Sequence, residues 1–226
     1  MKKMIAIIII LSIIFFGMLI QRNTQNNNEN VSIDEIEKIE TYIKRIYCWK
    51  EITNEALPKF ENINDANETW IWQIVKKDLE EYELKYDQIQ NRAQEIFGNE
   101  FTKQYPKDGT NLMEYDFELD KYIATPTNLD NEEDNFLLDK IEKTKDGYRV
   151  EIIEYLIDYG VFQDEEQENS EIKIKNLNEE TIETVKYNQG KSEINEIIKS
   201  KKEKFSKKIL TLKKDENGNI HINKVE

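Results

Sequence analysis

The N-terminal part of the chain is an almost unbroken run of apolar residues. Residues 4–20 are interrupted only by Ser12 and Gly17, and two lysines precede them. As a helix, this run rises about 25 Å, which approaches the roughly 30 Å of a bilayer's hydrocarbon core. Every face of that helix is apolar, as in a membrane-embedded helix. We therefore predict an N-terminal transmembrane helix, with residues 1–22 as the membrane anchor.

A cleaved secretory signal peptide is the competing interpretation, because it has the same basic start and apolar stretch. Two features favour an uncleaved signal-anchor. The run is longer than the usual signal core of about 7–15 residues, and its exit, Gly17-Met18-Leu19-Ile20, is bulky where a signal peptidase needs small residues. Under both interpretations Lys2 and Lys3 hold the N-terminus in the cytoplasm. The sequence thus predicts a single-pass protein of the cell membrane with an extracytoplasmic C-terminal domain.

The segment after the anchor reads as a linker. Residues 23–31 are polar, rich in asparagine and without periodicity, and residues 32–226 are predicted to form one extracytoplasmic domain. This domain begins with a helix, because Ser32 and Glu35 have the spacing of a capping box. Isoleucines at spacings of three and four mark its buried face: Ile33, Ile36, Ile39, Ile43 and Ile46.

A second helical pattern covers residues 67–97, and Gly98 stands where a C-terminal cap belongs. The pattern is long for a globular helix, so a break near residues 82–85 remains an alternative. Trp70 and Trp72 are two positions apart and point in different directions. We therefore expect one of these two side chains to be exposed.

The period changes from 3.6 to 2 at residue 113. Alternation over residues 113–120 predicts a strand whose dry face includes Phe117 and Leu119. Later strands are predicted over residues 136–143 and 148–159, joined at Asp146-Gly147, over 171–175, and in a last hairpin of 208–213 and 219–225. A helix over residues 192–205, capped by Ser192, separates the last two of these regions.

The predicted strand at residues 148–159 has an unusual pattern of apolar positions. Its apolar residues occupy even positions up to Ile152 and odd positions from Ile153 onward. A regular strand with one buried face cannot bury both sets. We therefore predict a β-bulge in this strand near these two isoleucines.

Two amphipathic helices followed by long antiparallel strands predict an α+β fold, with the helices packed on a curved antiparallel sheet. The helices, the long hairpin and the terminal hairpin LKKDENGNIHINKVE resemble NTF2-like (cone-shaped α+β) domains of bacterial membrane-anchored and exported proteins. The resemblance covers residues 32–226 and is architectural. It implies a pocket between the helices and the sheet. It implies no particular chemistry, since that family includes enzymes, ligand binders and interaction modules.

Composition narrows the classes of partner. The 226 residues carry a net charge of −14, which argues against nucleic acid, because phosphate binding needs a concentrated basic surface. The apolar fraction of 38% is enough for a packed core. The expected partners are the membrane, through residues 4–20, and a protein or small ligand of the cell envelope.

Cysteine and histidine offer little chemistry. Cys48 is the single cysteine, so no internal disulfide forms, and we interpret it as a half-buried packing residue. His221 is the single histidine, and its neighbours Ile220 and Ile222 place it on the outer face of the last strand. Zinc sites need several such ligands, so neither a metal nor a cofactor is predicted.

The chain offers one candidate for catalysis and four for ligand binding. Glu154 follows the predicted bulge, and a carboxylate in an apolar pocket has a raised pKa and can act as a general base. The alternative places Glu154 on the outward face of its strand. Aromatic residues for a sugar or peptide pocket, which equally fit a helical core stripe, are Trp70, Trp72, Tyr82 and Tyr86.

Three functions follow from these observations. The first is a membrane-tethered extracytoplasmic binding domain without catalytic activity, which the absence of a catalytic motif favours. The second is a small-pocket enzyme of isomerase or hydrolase type that uses Glu154. The third is an envelope protection factor whose acidic surface captures a basic partner.

Overall fold

A computed structural model of the protein describes residues 31–48, 55–79, 81–125, 132–159, 171–186 and 190–226. The predicted anchor and nearly all of the linker lie outside these residues. Within the described ranges, no helix is both long and apolar enough to cross a membrane.

The described residues form a mixed α+β fold with four α-helices and antiparallel sheets. The helices are α1 (Ile33–Ile46), α2 (Glu68–Leu79), α3 (Tyr86–Phe97) and α4 (Lys191–Ser200). The strands are β1 (Glu83–Leu84), β2 (Met113–Asp116), β3 (Lys121–Ala124), β4 (Glu132–Lys143), β5 (Gly147–Asp158), β6 (Glu171–Lys175), β7 (Thr181–Lys186), β8 (Ser206–Lys214) and β9 (Ile220–Val225). Short 3₁₀ turns cover Ile63–Asp65 and Lys202–Lys204.

Strand β5 is the centre of the larger sheet. Strand β4 pairs with one edge of β5, while β8 and then β6 pair with the other edge, at Gly147–Glu154 and at Leu156–Asp158 respectively. Strand β9 extends the sheet beyond β8, and β7 extends it beyond β6. The smaller sheet has the order β1-β3-β2.

Helix α1 begins as the sequence predicts. Ser32 Oγ accepts from the backbone N–H of Glu35 at 3.3 Å, and Glu35 Oε2 accepts from the backbone N–H of Ser32 at 2.9 Å. Three of the five isoleucines in the predicted stripe are fully buried, but Ile33 at the first turn is 63% exposed. The capping box, and not burial of the first isoleucine, therefore fixes where the helix starts.

The second helical pattern is two helices, α2 and α3, so the break near residues 82–85 is confirmed. Our expectation that one tryptophan of α2 is exposed is wrong, because Trp70 and Trp72 are 0% and 2% exposed. Trp70 Nε1 donates to the backbone oxygen of Ala56 at 3.1 Å, and the ring of Trp72 packs on Phe101 and Tyr105. Helix α2 is covered on several sides, so residues that point in different directions are both buried.

The bulge prediction for residues 148–159 placed the irregularity on the wrong strand. Strand β5 keeps a regular register with β8 throughout, and the shift lies on β4 between Leu138 and Lys140. Both apolar sets of β5 are buried, because each face of the strand has its own core. The even-numbered residues Tyr148, Val150 and Ile152 join the core of α1, α2 and α3. The odd-numbered residues Ile153, Tyr155 and Ile157 join a second core with α4, β6 and β7.

The strand predicted over residues 113–120 is a hairpin instead. Asp116 Oδ1 accepts from the backbone N–H groups of Glu118 and Leu119, which turns the chain after four strand residues. As a result, Phe117 is 81% and Leu119 is 52% exposed, and neither lies on a dry face. The sequence also missed β1, β3 and β7, and α4 is capped by Gly190 and not by Ser192.

Candidate functional site

Glu154 lies on an even position of β5 and faces the core under the helices. Its side chain is 1% exposed, so the outward-facing alternative is wrong. Tyr47 Oη donates to Glu154 Oε1 at 3.1 Å. On the other side, Lys208 Nζ of β8 lies 3.6 Å from Glu154 Oε2. Among the described residues, the carboxyl group therefore meets one phenol and one ammonium group.

The environment of Glu154 favours its protonated form. Burial raises the pKa of this carboxyl above its ordinary value, and the Lys208 charge and the Tyr47 hydrogen bond oppose only part of the rise. Tyr47 Oη also lies 3.3 Å from the backbone oxygen of Asn135, and a phenol has a single proton to donate. A protonated Glu154 can donate to Tyr47, which leaves the phenol proton for Asn135.

A pocket of about 330 Å³ lies next to this group, and we call it the α1–β4 groove. It runs between α1, strand β4 and α4, where the two cores approach each other across the edge of the sheet. Its apolar surface comes from Ile36, Phe136, Leu137, Leu138 and Tyr155. Tyr47, which contacts Glu154, and the buried residue Cys48 also line it.

The polar rim of the α1–β4 groove is locally basic. Three lysines and one glutamate line it: Lys44, Lys77, Lys191 and Glu40. Lys77 Nζ donates to the backbone oxygens of Tyr47 and Lys44 at 2.8 and 3.3 Å, which satisfies carbonyls at the end of α1. Burial lowers the pKa of Lys77. The rim contrasts with the net charge of −14 on the chain.

Helix α4 contributes a further polar group to the rim. Asn195, one turn into the helix, has a buried Oδ1 that accepts no hydrogen bond from the residues that the structure describes. Asn195 therefore gives the groove an unused hydrogen-bond acceptor at its α4 side.

Glu154 does not line the groove, because Tyr47 stands between them. The sequence drew attention to Glu154 but missed Tyr47, Lys77, Asn195 and Lys208. The one usable signal was that Lys208 shares its strand face with Leu210 and Leu212, which predicts an inward side chain.

The four aromatic candidates do not form one pocket. Trp70 and Trp72 are core residues, and Tyr82 is 61% exposed. Tyr86 is half-buried and lines a separate trough with Tyr115 and Tyr122 on the small sheet. The helical stripe was therefore mostly core, and only Tyr86 reaches a concave surface.

His221 does not lie on an open outer face. Its side chain is 13% exposed and covers the end of α3, with Nδ1 3.1 Å from the backbone oxygen of Ile96. Nε2 lies 3.4 Å from Asp215 Oδ2. The ring sits against Gly98, so it closes a helix end. Across the described ranges, no group of three or more histidine, cysteine or acidic side chains is placed to hold a metal ion.

Comparison of the chain with known proteins finds no match. No protein-family model, no curated protein and no solved structure matches the chain, so the resemblance to NTF2-like domains stays a prediction.

Proposed function

We propose that the protein is a membrane-tethered extracytoplasmic binding domain and that the α1–β4 groove is its ligand site. The observation that carries this proposal is the groove itself. Its volume of about 330 Å³ falls in the range of small-molecule sites, and it combines an apolar surface with a few convergent polar groups.

The composition of the groove favours an organic anion with an apolar body. Phe136 and Leu138 offer apolar contact, while Lys44 and Lys191 offer ammonium groups to an acid. Lys44 already pairs with Glu40 at 2.6 Å, but both are well exposed, so this ion pair is weak and easily exchanged. A carboxylate between the two lysines makes charge-assisted hydrogen bonds that a neutral molecule lacks.

The proposed tether places the groove near the membrane. Residues 23–31 span at most about 30 Å when fully extended, and α1, which forms one wall of the groove, begins at Ile33. Under the proposed topology, the ligand is captured close to the outer surface of the bilayer. Protease cleavage of a C-terminal epitope tag in intact cells supports this topology, and protection of the tag contradicts it.

The test of the ligand site uses the full-length chain in lipid nanodiscs. Benzoate, hexanoate and phenylacetate are titrated by isothermal calorimetry, each beside its neutral amide. At least one acid should bind, and its amide should bind about tenfold more weakly, the equivalent of about 1.4 kcal/mol for one charge-assisted contact.

A matched pair of variants locates the binding. The double substitution Lys44→Gln and Lys191→Gln removes two rim charges and should abolish the preference for the acid. Its control, Lys38→Gln with Lys199→Gln, removes one exposed lysine from each of the same helices outside the groove lining. If no acid binds, or if both double variants bind alike, the proposal is wrong.

The buried Glu154 favours a second candidate function, a small-pocket enzyme. Its raised pKa suits a general acid or base, and Tyr47 links it to the groove. Because Tyr47 separates the carboxyl from the groove, a substrate reaches Glu154 only if this ring moves. Turnover of an ester or ketone substrate that Glu154→Gln abolishes would establish this function in place of the first.

A further inference from the structure

The small sheet carries a second concave surface, which we call the tyrosine trough. It has a volume of about 740 Å³ and shares no lining residue with the α1–β4 groove. Its aromatic lining is Tyr86, Tyr115 and Tyr122, and Leu119 adds an exposed apolar side chain. The trough is independent of the ligand site proposed above.

The aromatic rings of the trough are anchored to the core. Trp72 packs on Tyr105 with ring centroids 5.1 Å apart, Tyr105 packs on Tyr122 at 5.4 Å, and Tyr122 packs on Tyr115 at 5.1 Å. Tyr122 Oη donates to the backbone oxygen of Lys107 at 3.0 Å, and Tyr115 Oη donates to Asp120. Tyr122 is 3% exposed, so a ligand meets Tyr86 and Tyr115, whose rings pack on it. These two rings are already ordered, which lowers the entropic cost of binding.

The charges of the trough cancel. Three lysines and three aspartates line it: Lys85, Lys107, Lys121, Asp87, Asp108 and Asp120. These six charges sum to zero in a chain whose net charge is −14, and Lys121 also pairs with Glu83, which lies outside the lining. Such a patch favours neither an anion nor a cation, and it presents both hydrogen-bond donors and acceptors.

We propose that the tyrosine trough binds a neutral oligosaccharide. A pyranose ring has an apolar C–H face, which packs on an aromatic face, and a rim of hydroxyl groups. These hydroxyls donate to aspartate and accept from lysine, so they use both halves of the charged rim. Tyrosine combines a rigid apolar surface with a polar tip, which suits a ligand with both characters.

The test again uses the full-length chain in nanodiscs, titrated with three neutral probes: maltohexaose, cellohexaose and chitohexaose. Tri-galacturonate serves as the charged probe. At least one neutral hexasaccharide should bind, and tri-galacturonate should bind more weakly. If none of the neutral probes binds, or if the charged probe binds best, the proposal is overturned.

Two variants and their controls assign the binding to the trough. Tyr115→Leu keeps an apolar side chain but removes the aromatic face, and binding should weaken about fivefold or more, consistent with about 1 kcal/mol for one stacking contact. Tyr82→Leu removes an exposed tyrosine outside the trough and should leave binding unchanged. Equal effects of the two substitutions would show that the sugar binds elsewhere.

A second pair remains informative if Tyr115→Leu fails to fold. Asp87→Asn with Asp108→Asn changes two exposed carboxylates of the trough and should weaken binding. Asp34→Asn with Asp146→Asn changes two exposed carboxylates outside it and should not. Retention of full affinity by the first double variant contradicts the proposal. Tight binding of an unstructured acidic or basic peptide to the trough, with no sugar binding, would assign it to protein recognition instead.

Discussion

Tyr47 Oη lies 3.1 Å from Glu154 Oε1, although the two residues are 107 positions apart in the chain. The contact joins the segment that follows α1 to the middle of β5. Because Tyr47 also lines the α1–β4 groove, the buried carboxyl and the proposed ligand site share one side chain. A ligand that displaces the Tyr47 ring therefore changes the surroundings of Glu154.

The free energy of unfolding should fall with rising pH because of Glu154. Burial raises the pKa of this carboxyl, so the folded state keeps its proton to higher pH than the unfolded chain. The contribution is fully present below the ordinary glutamate pKa of 4.5, and it is lost as pH rises through the raised value.

Urea unfolding at about pH 4.5, 6 and 7.5 measures this effect as a difference between variants. Glu154→Gln should lose the decline, whereas Glu37→Gln, an exposed change on α1, should keep the wild-type profile. The other carboxylates contribute equally to all three proteins. Parallel profiles for wild type and Glu154→Gln would contradict the prediction.

Lys208→Met should destabilise the fold by about 2 kcal/mol at neutral pH, because the buried carboxyl group of Glu154 loses the ammonium group that lies 3.6 Å from it. Lys208 also donates to the backbone oxygen of Leu57, and that bond is lost too. Its neighbour Lys207 is exposed, and Lys207→Met should change stability by less than about 0.5 kcal/mol. Chemical denaturation of the two variants is the measurement, and similar values for both would contradict the buried pair.

Asp78→Ala should cost about 2 kcal/mol, since it removes the charge-assisted hydrogen bonds of two arginines in a partly buried cluster. Asp78 accepts two bonds from Arg45, at 2.6 and 2.8 Å, and one from Arg92 at 3.1 Å, and it thereby ties α1, α2 and α3 together. Burial alone raises the pKa of Asp78, but Arg45 and Arg92 more than offset it, and the net pKa is lowered.

Glu95 provides the control for Asp78. It contacts the same Arg92 at 3.4 Å but is 60% exposed, so Glu95→Ala should cost less than about 0.5 kcal/mol. Because the pKa of Asp78 is lowered, its stabilising contribution is present above its ordinary pKa of 3.8 and declines as the pH falls. Thermal unfolding of both variants at neutral pH tests the ranking.

Gly147→Ala should be severely destabilising for a reason that the turn sequence does not reveal. A Cβ atom at this position would lie 2.0 Å from the backbone oxygen of Leu212, where β5 and β8 pair. We expect a loss of more than about 2 kcal/mol, from strain or separation of the strands. Gly190→Ala is the control, because its Cβ would meet nothing within 4 Å. If Gly147→Ala leaves the free energy of unfolding unchanged, the two strands do not approach each other so closely.

Local signals explain which parts of the fold were predictable. The capping box at Ser32, the isoleucine stripe of α1 and the turn before β5 depend on residues a few positions apart. The change from even to odd apolar positions at Ile152 and Ile153 was also visible in the sequence. Both sets are buried because α4, β6 and β7 cover the second face of β5. No local pattern carries that information.

The candidate site was less predictable because it is assembled from distant segments. Glu154 was recognised as unusual, yet its partners come from the end of α1 and from β8. Lys208 lies in a lysine-rich stretch whose other members are mostly exposed, so its charge alone predicted an exposed side chain. At the exposed hairpin around Phe117 the error is the opposite one. Its alternating apolar and polar residues predicted a buried strand face where the side chain is exposed.

Strand β5 has consequences for how the gene can vary. From Ile152 to Ile157, six consecutive side chains are buried, with Ile152 in the core under the helices and Ile153, Tyr155 and Ile157 in the second core. In an ordinary amphipathic strand every second side chain faces solvent and tolerates substitution, but no side chain of this segment is exposed. A saturation mutagenesis scan should therefore show a continuous band of intolerance here, and natural sequence divergence should concentrate in the loops at either end.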